Sequence, residues 1–190
     1  IVTARERLTS KLAEMENQTW KFVDPATAVG QTNFFLAYQG ANDKDIQSRV
    51  AALYLKSCPD LAYVADHCRP YKRGVGKRIK LGFVSAFFGK HTIGKLFQGL
   101  INGLDRNQFE IIVFHLGPDR RLEDTYLASL SDHVDHFLCV PSQYLQARMT
   151  ISEMEPDIIY YTDIGMEPVS YFLAFNRLAP VQCTCWGHPV

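Results

Sequence analysis

The chain has 190 residues with zero formal net charge, 47% hydrophobic and 21% charged residues. That is the balance of a globular domain, and it excludes a strongly basic nucleic-acid or anionic-membrane binder, both of which need surplus Lys and Arg. No apolar run reaches about 18 residues, and "IVTARERLTS" has neither the charge order nor the apolar block of a signal peptide.

The sequence begins at Ile1 and stops at Val190 within a loop-like "CWGHPV", which suggests a piece of a longer protein. Residues 1–70 read as a helical segment. Leu8, Leu12 and Met15 fall at helical spacing, as do Ile46, Val50, Leu53 and Tyr54. Asp43 is an N-cap candidate, and Pro59 stops the second helix. Between them lies "WKFVDPATAVGQTNFFLAYQGAN", rich in aromatics but without a clear period. Two helices alone do not establish a repeat array. "RPYKRGVGKR" reads as a polar hinge, with a linker over 71–77.

From residue 78 the pattern alternates. "IKLGFVSAF", "FEIIVFHLG", "HVDHFLCV", "DIIYYTD" and "PVQCTCWG" read as strands. "TIGKLFQGLINGL", "LEDTYLASLSD", "SQYLQARMTISEME" and "MEPVSYFLAFNRL" read as the helices between them. Strand–helix alternation with near-continuous apolar strands predicts an α/β fold, a Rossmann-like parallel sheet covered on both faces. Ligands in such sheets bind beyond the carboxyl ends of the strands, at "SAFFGKHT", "GPDRR", "PSQ", "TDIGMEP" and "GHPV".

The five cysteines, Cys58, Cys68, Cys139, Cys183 and Cys185, are odd in number and scattered. They predict buried, reduced thiols in a cytoplasmic protein rather than a disulfide framework. Cys183-x-Cys185 has the wrong spacing for zinc, and no metal site is expected.

One loop matches a phosphate-binding pattern in all but its last position. Gly89-x-x-x-x-Gly94-Lys95 is followed by Leu96, where a hydroxyl should ligate magnesium. Its interior, Lys90, His91, Thr92 and Ile93, is too bulky for backbone N–H groups to turn inward around a phosphate. Asp163, ending an apolar strand, gives the nucleotide reading its other support. His91 remains as a base or acceptor-orienting group at a strand end, with a helix-capping role as its structural alternative.

The stretches "LGFVSAFFGKHTIGKL", "LDRNQFEIIVFHLGP" and "YTDIGMEPVSYFLAFNRLAPVQCTCWGHPV" resemble the amino-terminal half of the catalytic region of O-GlcNAc transferase-like and SPINDLY-like protein glycosyltransferases. The resemblance covers residues 77–190 well and 1–76 weakly. It implies the first lobe of a two-lobed GT-B enzyme, which moves a sugar from a UDP-sugar to Ser, Thr or, in some relatives, Asn of a protein or peptide acceptor, with no required metal. By motif position, His91 matches the cleft histidine after the first strand. Gly187, His188 and Pro189 match a turn entering the active site, and Asp163 and Gly165 lie at the fourth strand's end, on the acceptor side. A second histidine carried by some members is replaced here by Ser152 and Glu153. The lobe that supplies most UDP contacts is missing from this sequence, so the resemblance implies an acceptor-side half without activity alone.

Asp163 is equally readable as an N-cap, Trp186 as a cleft wall or a core residue, and Lys95 as a solvated lysine. His67, His115, His133 and His136 carry no telling spacing. Two other classes stay open: a nucleotide-binding domain at Gly89 to Lys95, and an interaction module that docks a partner on Trp20 to Tyr38.

Overall fold

The computed structural model describes residues 2–69 and 76–184. Most of the 71–77 linker, and the Cys185, Trp186, Gly187, His188 and Pro189 readings, lie outside the described residues.

The α/β half is built as the apolar pattern requires. Five strands, β1 (Ile79–Ser85), β2 (Phe109–Leu116), β3 (His136–Val140), β4 (Ile158–Tyr161) and β5 (Val181–Thr184), form one sheet in the order β3-β2-β1-β4-β5. Every pairing is parallel. Helices α4 (Thr92–Gly103), α5 (Thr125–Asp132), α6 (Tyr144–Glu153) and α7 (Pro168–Leu173) make the crossovers.

Period-two alternation divides each strand between two cores. Leu81, Phe83, Ile111 and Val113 point to one face, against Phe97 and Ile101 of α4 and Leu127 and Leu130 of α5. Val84, Ile112, Phe114 and Ile159 point to the other, against Tyr144 and Ile151 of α6 and Phe172 and Leu173 of α7. Both faces are apolar, which is why the strands read as continuous apolar runs.

The helical segment comprises α1 (Val2–Glu16), α2 (Pro25–Val29), a 3-10 turn Phe34–Gln39, and α3 (Lys44–Ser57). Leu12, Leu36, Ile46, Val50 and Leu53 form its small core. The segment is also continuous with the lobe, because Ala26, Cys58 and Leu61 are buried in the same core as the sheet. Tyr54 of α3 meets the Phe172 ring edge-on at 5.2 Å between centroids. The buried Asn176 amide donates to the Leu61 carbonyl and to the Tyr144 hydroxyl, each at 2.9 Å. The backbones join at Val64 and Arg177, where Arg177 N donates to Tyr63 O at 2.9 Å.

Several local expectations change. Asp43 stands at the N-terminus of α3, but its side chain makes no cap; its carboxylate takes the Arg5 guanidinium at 2.5 Å, because α1 brings a full charge within reach. The unassigned aromatic stretch holds α2, capped by Asp24 on Thr27 N at 3.1 Å, and the 3-10 turn. The last crossover helix is shorter than predicted. It starts at Pro168 and ends by Leu173, since Phe175 and Asn176 turn back on carbonyls three residues earlier and Asn176 is committed to Leu61. Cys58 is buried as expected, but Cys183 is exposed, because the β5 face that carries it is not covered by a helix among the described residues.

Candidate functional site

β1 pairs β2 on one side and β4 on the other, so the winding direction reverses between β1 and β4. In open α/β sheets ligands bind outside the carboxyl ends of the strands at such a switch. The loops leaving there carry His91 on one side and Asp163 and Gly165 on the other.

His91 is the N-cap of α4. It has extended backbone geometry, and its Nδ1 accepts Ile93 N at 3.2 Å. The Phe87 ring lies over the imidazole with centroids 4.7 Å apart. With Nδ1 accepting, the neutral ring holds its proton on Nε2 and presents a donor. The capping alternative is therefore realised, and it fixes the direction of the other nitrogen.

Asp163 follows β4 and is fully buried beside the buried Thr162 and Ser85. Its Oδ1 accepts the Thr162 hydroxyl at 3.1 Å, and its Oδ2 has no partner among the described residues. Burial pushes its carboxyl up to about 6, against the opposing pull of the Ser85 and Thr162 hydroxyls. Asp163 is not the cap of α7. Glu167 is, accepting Val169 N and Ser170 N at 2.7 Å each. Between them lies a tight turn in which Met166 N donates to Asp163 O at 3.0 Å. Gly165 occupies its third position with φ +89°, a conformation that costs a residue with a Cβ. The Thr32 hydroxyl donates to the Gly165 carbonyl, which holds the turn against the helical segment.

Of the predicted site residues, the structure thus brings His91, Asp163 and Gly165 to the ends of adjacent strands. Gly187, His188 and Pro189 lie outside the described residues; the last described residue, Thr184, pairs with Tyr161 at the same end of the sheet.

The glycine-lysine loop has a different geometry from a phosphate cradle. Asp124 Oδ2 accepts Lys90 N at 2.8 Å, while its Oδ1 accepts Tyr126 N and Leu127 N at 2.9 and 3.3 Å. Burial opposes ionisation, but these N–H groups hold the Asp124 carboxyl below its ordinary value. A carboxylate inside the loop repels a phosphate. Gly94 is needed because a Cβ there would strike the backbone carbonyls of Gly89 and Phe88. Lys95 lies over the Tyr126 ring at 5.9 Å.

Sequence reasoning missed Asp124 and Ser85. Asp before "TYLASLSD" is a readable cap signal, but its bond across to Lys90 spans 34 residues and leaves no local trace. His115, at the end of β2, is buried with Nδ1 unpartnered among the described residues. Desolvation lowers its basicity, and it stands in register beside Ser85 at the carboxyl end of β1, on the side away from β4.

These elements define a Rossmann-like α/β lobe with buried polar groups at its switch point. Neither a family model nor a curated protein sequence matches the chain. Among solved structures, a point variant of the O-GlcNAc transferase of Thermobaculum terrenum is similar, with a TM-score of 0.51 and 22% identity over 57% of this chain. The match spans 21% of that protein's length. Likeness at this identity supports the fold, an α/β lobe like one in that transferase. Among the described residues no helix is long and apolar enough to cross a membrane.

Proposed function

We propose that the chain is the acceptor-side lobe of a glycosyltransferase that moves GlcNAc or a hexose from a UDP-sugar to a Ser, Thr or Asn side chain of a protein or peptide. The observation that carries this reading is the placement of His91 after β1, and of the buried Ser85, Thr162 and Asp163 at the carboxyl ends of the adjacent strands β1 and β4. The structural likeness to an O-GlcNAc transferase supports it.

In this reading the acceptor hydroxyl oxygen, or the amide nitrogen of Asn, attacks the anomeric carbon beyond the β1 and β4 ends as the bond to UDP breaks, inverting the centre, and the acceptor proton leaves with the diphosphate. His91 Nε2–H donates to an oxygen of the bound reactants and fixes their approach; the turn at Gly165 shapes the acceptor wall. In-line positioning supplies much of the acceleration. A second lobe, outside this sequence, holds most of the UDP. The leaving charge is met by helix N-termini and cationic groups without a metal cofactor. We place the reaction in the cytoplasm, with no nucleic-acid or membrane partner.

The test uses the longest reading frame that contains this chain. UDP release from UDP-GlcNAc or UDP-glucose, reduced in a His91→Asn variant of unchanged fold, is the expected result. No release from either donor would remove the reading.

A further inference from the structure

A cleft of about 430 Å³ opens between the helical segment and the Gly165 turn. Its two sides are helix faces. Lys44, Gln47, Ser48 and Ala51 recur along one stripe of α3, and Tyr171 lies on α7 with Ala174 and Phe175 just beyond it. The opposite stripe of α3, Ile46, Val50 and Leu53, packs into the small core, of which the cleft-facing stripe is no part. The volume falls within the range of ligand pockets.

The chemistry of the walls narrows the occupant. Phe34, Tyr171 and Phe175 supply aromatic surface. Among the described residues the side chains of Asn33, Gln47 and Ser48 have no hydrogen-bond partner, and they can both donate and accept, as the alternating N–H and C=O of an extended peptide require. Among the described residues Lys44 is the single charged one lining the cleft, and its ammonium makes no ion pair with any of them. With no carboxylate among the described lining residues, the cleft complements a negative group. Outside the cleft the same apolar surface continues onto Phe35 and Tyr38, 75% and 67% exposed, with the Phe34 and Phe35 rings 5.5 Å apart. At its other end, Ile164 and Gly165 follow directly on Asp163.

We propose that this cleft docks the acceptor polypeptide beside its modified residue, seating one aromatic side chain among Phe34, Tyr171 and Phe175 and an acidic side chain against Lys44. The inference rests on the transferase reading above for the word acceptor; the docking itself does not.

The experiment is fluorescence anisotropy on the chain without any sugar nucleotide. The probes are fluorescein-labelled dodecapeptides that carry one Ser and a Phe–Glu pair at varied spacing, with Ala–Glu and Phe–Lys versions as comparison. Saturable binding of the Phe–Glu series is expected, about tenfold tighter than the Ala–Glu series. Ala51→Trp fills the cleft and weakens binding by about tenfold, with circular dichroism and melting to verify its fold. The exposed Lys44→Glu change reverses the preference toward Phe–Lys peptides. Equal binding of all series, or binding unaffected by both substitutions, would overturn the proposal. Failure here with UDP release intact removes the cleft alone, whereas docking without UDP release removes the transferase reading alone.

Discussion

The carboxylate of Asp124 accepts the backbone N–H of Lys90 at 2.8 Å across the gap between two crossovers. This single bond decides what the Gly89 to Lys95 loop is. The N–H that a phosphate would use is held by an acid that also caps α5, and the two glycines serve close packing of the loop on itself and on Asp124.

The loop's glycines should therefore respond to substitution as packing residues. A Cβ on Gly94 meets fixed backbone, with the Phe88 carbonyl oxygen at 2.5 Å, so Gly94→Ala should cost about 2–4 kcal/mol in urea unfolding. Gly99, in the same helix with open space around it, should give about 0.5–1 kcal/mol of added stability on change to Ala. Lys95→Met should leave both stability and ATP binding where they were. Strong ATP binding lost in that variant would restore the nucleotide reading.

His91 combines a cap with a donor, and the two roles separate by substitution. Asn is a strong N-cap, so His91→Asn should keep the melting temperature close to the parent while removing the Nε2 donor. His91→Ala loses both and should destabilise by about 1 kcal/mol. On the transferase reading, kcat of the longer protein should fall in both variants. Normal turnover in His91→Asn would reduce the residue to a cap.

Asp163 should make stability fall as pH rises. Its carboxyl goes from an ordinary 3.8 to about 6 on folding, so the folded chain keeps a proton that the unfolded chain releases. Stability from the protonated form is complete below about pH 4 and is lost through about pH 6, a cost of up to about 3 kcal/mol at neutrality. Asp163→Asn should abolish this slope and melt higher than the parent near neutral pH and, on the transferase reading, lower the activity of the longer protein. A parallel pH–stability profile for parent and variant would show that Asp163 stays ionised in the fold.

Asn176 should hold the helical segment to the lobe. Its replacement by Ala strands the buried Leu61 carbonyl and removes a partner of the Tyr144 hydroxyl. The expected loss is about 2–4 kcal/mol, against about 1 kcal/mol for Tyr144→Phe. Limited proteolysis should cut the Asn176→Ala variant faster within residues 58–69. Unchanged proteolysis would place the attachment in apolar burial alone.

The five strands and their four crossover helices were legible in the sequence, because burial of both sheet faces writes continuous apolar runs such as "FEIIVFHL" and amphipathic stretches between them. His91 at a strand end and the failure of the phosphate pattern at Leu96 were legible too, since each depends on neighbours within a few residues. What only the tertiary structure decided is set by pairs far apart in the chain: Asp43 bound to Arg5 instead of capping α3, Asp124 reaching Lys90, Thr32 fastening the Gly165 turn, and Asn176 tying Leu61 to Tyr144. The burial that raises Asp163 and the cleft between α3 and α7 arise the same way. Hydrophobic periodicity is a local record of which face is covered; it carries no information about which distant group does the covering, and that choice is made by the strand order and the packing of the helices upon it.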